Sequence, residues 1–392
     1  MTSAVETLPP SRSAARDPAW PIYAVLIASA FIVIGLIWDI SWHRSIGRDT
    51  FWSPPHMLEQ AAAIIAGLSC GWIVLHTTFA GTPDERARSV RFWGFYGPLG
   101  AFVCIWGTLM MITSAPFDNW WHNAYGLDVK IISPPHMVLA WGMLAIQVGA
   151  VITALGRQNR APEAHVSHFG HLYVATAALL MTMHATVLLE EAAFANHMRA
   201  SRFYMIVSIL FPAILTATAR LSRVRWGATK AAAIYIALEL CIMWALQLSP
   251  ATPKLAPIFN AVTNMIPQPF PLLLIVPAFA IDLLHARPVR SDWMRAASIG
   301  ATYVVLMVAV HWYFSGFLLS PGARNFFFGV DQWDYNIQLG NWRYEFWGYE
   351  LGPSGQWSPL RFFGGCAIAM GIATLSSRIG LGLGAALAKV RR

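Results

Sequence analysis

Apolar residues occur along this chain in long stretches with almost no charge, without the strict alternation of a half-buried strand. Windows of about 20 such residues are long enough to cross a hydrocarbon core of ~30 Å as α-helices. The pattern predicts ten membrane spans, at about 21–40, 55–77, 94–113, 136–155, 170–189, 203–219, 228–248, 268–285, 295–318 and 362–384. The chain is therefore predicted to be an all-α, polytopic integral membrane protein.

The first two predicted helical hairpins repeat one another. The stretch WHRSIGRDTFWSPPHM, residues 42–57, returns in altered form as WHNAYGLDVKIISPPHM, residues 121–137, with one more residue in its loop. Ser-Pro-Pro opens the second helix of each hairpin, because Ser is a favoured N-cap and Pro is favoured in the first helical turn. Region 21–155 is thus predicted to be a duplicated helical hairpin.

The rest of the chain is divided around this duplicated region. We expect a cytoplasmic N-terminal tail at 1–20, further transmembrane helices within 156–318, an aromatic outer loop at 319–361, and a last transmembrane helix with a basic cytoplasmic tail at 362–392. The first span is too long for a cleavable signal sequence, so we expect it to remain as a membrane anchor.

Composition and charge agree with a membrane protein and suggest its orientation. Hydrophobic residues make up 56% of the chain and charged residues 12%, a balance that is rare in soluble domains. If the N-terminus is cytoplasmic, most of the 27 Lys and Arg residues fall in inner segments, as the positive-inside rule requires. Both termini are therefore predicted to be cytoplasmic and the repeated motifs to lie on the outer face. The basic residues form no recognition motif, so nucleic acid is not an expected partner.

Three residues that can bind a metal ion are present in each copy of the repeat. They are Asp39, His43 and His56 in the first copy, and Asp118, His122 and His136 in the second. An Asp and a His four residues apart share one helix face, and the other His begins the next helix. Nitrogen and carboxylate ligands suit copper, zinc, iron or manganese without choosing among them. The alternative is a hairpin cap without metal, because Trp, His and Pro are common at membrane interfaces.

The motif Asp39-x3-His43-x12-His56, in the context WHRSIGRDTFWSPPHMLE, resembles the metal-binding motif in the C subunit of the copper membrane monooxygenases, the particulate methane and ammonia monooxygenase family. The resemblance implies copper held by these three residues near the outer face of a bacterial inner membrane. It also implies oxidation of a small apolar substrate, an electron donor and partner membrane subunits. The chain is longer than such a subunit, it duplicates the motif, and it has no segment that resembles the family's cupredoxin-like subunit.

Ionisable residues inside the predicted spans are further candidates, because such groups are costly in a bilayer. Glu59 follows His56 by one helical turn, where it could be a fourth ligand, a proton relay or a hydrogen-bond acceptor for a histidine N–H. The second copy has Leu139 at this place. His184 and His311 are candidates for a proton path or a metal. The alternative for each is a hydrogen bond to a neighbouring helix.

Three kinds of function remain open from the sequence. The first is a copper-dependent oxidoreductase of the monooxygenase type, and the second is copper capture, transport or metalloenzyme assembly. The third is a structural or proton-translocating subunit, whose repeated motif caps two hairpins and binds no metal. Copper is the expected cofactor, with zinc and iron as alternatives, and the expected partners are the lipid bilayer and either membrane subunits or further copies of this chain.

Overall fold

The structure is a computed structural model that describes residues 19–47, 51–126, 133–190, 192–195, 197–252, 262–329 and 357–391. In chain order its helices are α1 (Trp20–Ser45), α2 (Pro54–Phe79), α3 (Pro83–Ala87), α4 (Leu99–Tyr125), α5 (Pro134–Arg160), α6 (Glu163–Leu189), α7 (Ser201–Leu221), α8 (Gly227–Leu248), α9 (Ile275–His285), α10 (Asp292–Leu318) and α11 (Pro359–Leu387). Within these ranges nine helices, all but α3 and α9, are long and apolar enough to cross a membrane. The predicted all-α, multi-pass fold is confirmed. Most of the predicted N-terminal tail and of the aromatic loop lies outside the described residues.

A short β-hairpin separates α2 from α4. Strands β1 (Val90–Phe92) and β2 (Phe95–Gly97) pair antiparallel, and Trp93 and Gly94 between them both have positive φ angles, of 47° and 87°. Two positive φ angles in a two-residue loop match the twist of the flanking strands. The span predicted at 94–113 therefore begins only at Leu99, because the aromatic residues before it belong to the hairpin.

The eighth predicted span, 268–285, is wrong as a continuous helix. Helix α9 has 11 residues and follows a single 3₁₀ turn, Leu272–Leu274, while residues 265–271 before it are extended and buried. Pro267, Pro269 and Pro271 alternate in this stretch, and each Pro lacks an N–H and disfavours a helical residue before it. We call residues 265–271 the buried extended segment.

Helices α1, α2, α4 and α5 form a closed ring. Helix α1 packs on α2, α2 on α4, α4 on α5 and α5 on α1, and α2 also touches α5 across the middle. If α1 is exchanged with α4 and α2 with α5, the same helix pairs are in contact, so the ring has approximate two-fold symmetry. Each helix supplies a buried residue to the cluster inside the ring: Ile32, Ala63, Met111 and Ile146. Both copies of the motif consequently lie at one end of the ring, which we call the motif end.

Polar contacts between the hairpins also follow the symmetry. Gln147 on α5 donates through its Nε2 to the Ser29 carbonyl on α1 at 3.0 Å, and Thr108 on α4 donates through its Oγ1 to the Ala63 carbonyl on α2 at 3.1 Å. The first bond joins α5 to α1 and the second joins α2 to α4, which are the two pairs that the symmetry relates. Hydrogen bonds of this kind help transmembrane helices to associate, because lipid offers the same polar groups no partner.

The remaining long helices form a second group beside the ring. Helix α11 packs along α7 and α10, while α8 packs against α6, α7 and α9. Its core contains four fully buried tyrosines, Tyr173, Tyr204, Tyr235 and Tyr303. Helix α6 joins the two groups, because it packs against α1 and α5 of the ring as well as against α7 and α8.

Candidate metal centres

The first copy of the motif is formed where α1 ends and α2 begins. Helix α1 continues to Ser45, so Asp39 and His43 share a face as predicted, and Ser53 is the N-cap that places His56 in the first turn of α2. The His43 Nε2 lies 3.6 Å from Asp39 Oδ2, and the His56 Nε2 lies 3.3 Å from Asp39 Oδ1. One carboxylate thus contacts both imidazoles of its copy.

The second copy has the same arrangement at the α4–α5 junction. The His122 Nε2 lies 3.3 Å from Asp118 Oδ2, and the His136 Nε2 lies 3.5 Å from Asp118 Oδ1. Ser133 caps α5 and accepts a hydrogen bond from the His136 backbone N–H at 3.4 Å. Despite the longer loop, Oδ2 again contacts the His on the same helix and Oδ1 contacts the His on the next helix.

The distances in both copies are longer than those of charge-assisted hydrogen bonds. A protonated imidazole donating to a carboxylate is expected at ~2.7–2.9 Å. Moreover, Oδ1 of Asp39 and Oδ1 of Asp118 are both buried and have no hydrogen bond. Two ligand atoms on one tetrahedral ion, with bonds of ~2.0–2.1 Å, lie ~3.3–3.4 Å apart. The spacing of the carboxylate and imidazole atoms is thus close to that of two ligands of one ion.

The described side chains do not, as they stand, form a complete metal cage. No group of three or more His, Cys, Asp or Glu in these parts of the chain is arranged to hold an ion. In each motif the two imidazoles contact different oxygens of the carboxylate, so binding by all three residues requires a side chain to rotate. His43 is 43% exposed, whereas Asp39 and His56 are 18% and 17% exposed. His43 is therefore the ligand with the most room to move.

Glu59 lies one turn further along α2 than His56 and is only 2% exposed. Its Cγ occupies space that Gly35 on α1 leaves open, since a Cβ at position 35 would lie 2.6 Å from that atom. Gly35 therefore allows α1 to approach α2 at the level of the carboxyl side chain. With Leu139 at the corresponding place in α5, the first copy alone has this additional acidic residue beneath its motif.

His184 and His311 lie apart from the ion pairs of the two motifs. The His184 Nδ1 is 2.8 Å from the Leu180 carbonyl, and the His311 Nδ1 is 3.2 Å from the Met307 carbonyl. The predicted alternative of a bond to a neighbouring helix is therefore wrong for these contacts, because each ring bonds to the backbone of its own helix. His311 is fully buried in the second helix group, and its Nε2 has no hydrogen bond.

Two serines near the first copy were not recognised from the sequence. Ser41 donates through its hydroxyl to the Ile266 carbonyl at 2.6 Å, and the Ile266 N–H donates to the Ser45 hydroxyl at 2.8 Å. They attach the buried extended segment to the motif end of α1. The alternating prolines mark this segment in the sequence, but the pattern does not show which helix it contacts.

Arg44 attaches the same helix end to α6. Its Nη2 donates to the Glu190 carbonyl at 2.9 Å and lies 3.3 Å from the Glu190 carboxylate, while its guanidinium lies 5.6 Å from the centre of the Phe194 ring. In the second copy the places of Ser41, Arg44 and Ser45 are taken by Trp120, Asn123 and Ala124. These contacts to the second helix group are therefore specific to the first copy.

Comparison with known proteins gives no match to a family model, to a curated protein or to a solved structure. The functional assignment consequently rests on the residues and geometry of the two motifs.

Proposed function

We propose that this protein binds transition-metal ions, copper above all, at two membrane-embedded sites. The ligands are Asp39, His43 and His56 in the first site, and Asp118, His122 and His136 in the second. The observation that carries the proposal is the repeated geometry, in which each carboxylate places one oxygen 3.3–3.5 Å and the other 3.3–3.6 Å from an imidazole nitrogen. A hairpin signal alone does not require this arrangement twice.

Copper is favoured over other metals by two considerations. Divalent copper binds nitrogen and oxygen ligands more tightly than the other first-row divalent ions do, and the first motif resembles a copper motif. Three protein ligands also leave coordination positions for water or a substrate. We therefore propose copper-dependent monooxygenation of a small apolar substrate, with dioxygen as the oxidant and two electrons from a donor outside this chain. Bound copper would supply the redox chemistry.

The chain's own residues would orient the ligands and handle protons. Each Asp contacts both imidazoles, one through each oxygen, and so holds both Nε2 atoms beside its carboxylate. The Glu59 carboxyl, held between α1 and α2, lies one turn below His56, where it can accept a proton released when a ligand binds the metal. The contacts of Ser41 and Ser45 with Ile266 hold the end of α1, and with it Asp39 and His43, in place.

A second candidate function is copper capture and delivery to another protein. The observation that favours it is the exposure of His43, 43%, at the end of the ring, because a ligand that reaches solvent lets an ion exchange readily. Rapid loss of copper to a chelator would support this second candidate, whereas retained copper would support the oxidoreductase.

The first test is the metal content of the detergent-purified protein by mass spectrometry. Wild type should hold about two coppers per chain, and His43→Ala and His122→Ala should each lose about one, because each removes a ligand from one motif. His184→Ala is the control, since this ring bonds only to its own helix among the described contacts. Wild type that stays metal-free after reloading with copper, zinc and iron would overturn the proposal and favour the hairpin cap.

A further inference from the structure

The two motifs lie at the same height on neighbouring helices. Helices α1 and α5 run antiparallel and are joined by the bond between Ser29 and Gln147. Asp39 follows Ser29 by ten residues, and His136 precedes Gln147 by eleven. At ~1.5 Å per residue, Asp39 lies ~15 Å and His136 ~16.5 Å from that bond toward the motif end. An Asp of the first copy and a His of the second are thus level with one another across the α1–α5 contact.

The electrostatic surroundings of Asp39 agree with this geometry. Its carboxylate interacts not only with His43 and His56 of its own copy but also with the His136 ring of the other. Helices α2 and α5, which carry His56 and His136 in their first turns, touch across the ring. The His136 ring contacts Asp118 of its own copy and is also near enough to Asp39 to contribute to its electrostatic surroundings.

We infer that the two motifs form one composite centre, in which a cation bound at one motif weakens binding of a cation at the other. The inference rests on the proposed function, since it requires that each motif bind a metal. Its physical basis is the repulsion between two divalent ions held close together, partly shielded from water. Duplication by itself predicts two independent sites, so the coupling is a consequence of how the ring closes.

The coupling is measurable with a thermodynamic cycle on the full chain in detergent. Copper is titrated against a competing chelator into wild type, His43→Ala and His122→Ala. Mass spectrometry first establishes that wild type binds about two ions and each variant about one. His122 is chosen to empty the second motif because His136 itself acts on Asp39. The product of the two wild-type association constants should be about tenfold or more below the product of the two single-site constants.

A second measurement needs no variant. Electron paramagnetic resonance of fully copper-loaded wild type should show dipolar broadening, because two Cu²⁺ ions in one centre lie close enough for their spins to interact. Filling the protein with a mixture of mostly Zn²⁺ and a little Cu²⁺ should remove the broadening. His184→Ala should keep both the broadening and the wild-type affinities.

The outcomes separate this inference from the proposed function. Equal products of association constants, together with unbroadened spectra at two coppers per chain, would overturn the composite centre and leave metal binding intact. Protein that takes up no metal in any form would overturn both. A reduced product with broadened spectra would establish one centre made of two motifs.

Discussion

Asp39 and Asp118 are the residues on which the geometry of each motif depends. Each contacts both other members of its motif, with one carboxylate oxygen for each imidazole. Their partly buried position limits competition from water. A substitution that removes the charge and keeps the shape of the side chain is therefore the most direct test of their role.

We expect Asp39→Asn to lower copper affinity at the first motif by roughly 10- to 100-fold, because the amide keeps the size of the carboxylate and loses its charge. Chelator-competition titration measures the change, and Asp118→Asn should do the same at the second motif. Asp84→Asn, at an exposed position in α3, is the control. Unchanged affinity in Asp39→Asn would mean that this carboxylate is not a ligand.

Ser45 connects the first motif to the buried extended segment. We expect Ser45→Ala to destabilise the protein by about 1–3 kcal/mol, because the buried Ile266 N–H loses its acceptor. The midpoint of chemical unfolding in detergent measures the effect. Ser298→Ala is the control, since that exposed hydroxyl bonds only to the Met294 carbonyl of its own helix among the described contacts. Equal midpoints for the two variants would show that this bond does not stabilise the fold.

At the scale of the elements, the α4–α5 hairpin depends on glycines that let the helices approach closely. A Cβ at Gly107 would lie 2.6 Å from the Gly142 carbonyl oxygen, and a Cβ at Gly149 would lie 2.7 Å from the Gly100 carbonyl oxygen. Small residues allow close van der Waals contact between helices in lipid, where the hydrophobic effect does not drive association. Backbone contacts along this hairpin thus position Asp118 relative to His136.

We expect Gly107→Ala to destabilise the protein by about 1–3 kcal/mol, because the methyl group forces the backbones of α4 and α5 apart. Gly156→Ala in α5 is the control: nothing lies within 4 Å of the added methyl group. It should be neutral or stabilising by about 0.5–1 kcal/mol, as expected for replacing glycine within a helix. Thermal unfolding in detergent compares the two variants, and a larger loss in Gly156→Ala would contradict the packing explanation.

At the scale of the whole molecule, the ring and the second helix group are joined through α6 and the buried extended segment. Irregular backbone is tolerated in a membrane protein where other protein covers it, and the two serines of α1 satisfy the Ile266 backbone groups. The motif end is therefore held by the rest of the chain on the side of the first copy.

The orientation of the molecule remains a prediction from the positive-inside rule. Trp52 precedes α2 and is 73% exposed, and Ala87 is exposed beyond the other end of α2. In a Cys241→Ser background, which removes the exposed cysteine among the four, a membrane-impermeant maleimide on intact cells should label Trp52→Cys and leave Ala87→Cys unlabelled. The reverse pattern would place the motif end in the cytoplasm.

Much of the fold follows from local sequence. Hydropathy located nine of the ten predicted spans, because the free energy of leaving water depends on residues within one segment. The Ser-Pro-Pro signals fixed the starts of α2 and α5, and the four-residue spacing placed Asp39 and His43 on one face. The remaining span, 268–285, was wrong because its apolar composition outweighed the alternating prolines in the prediction.

What the sequence by itself determined is which residues enter the membrane and which three residues each hairpin brings to its turn. Only the tertiary structure decided that the hairpins close into a ring, that Asp39 stands level with His136, and that Ser41, Arg44 and Ser45 attach one copy to the second helix group. The physical reason is that lipid is as apolar as a buried side chain, so hydropathy says nothing about which helix packs on which. That choice depends on steric fit and on hydrogen bonds between residues far apart in the chain.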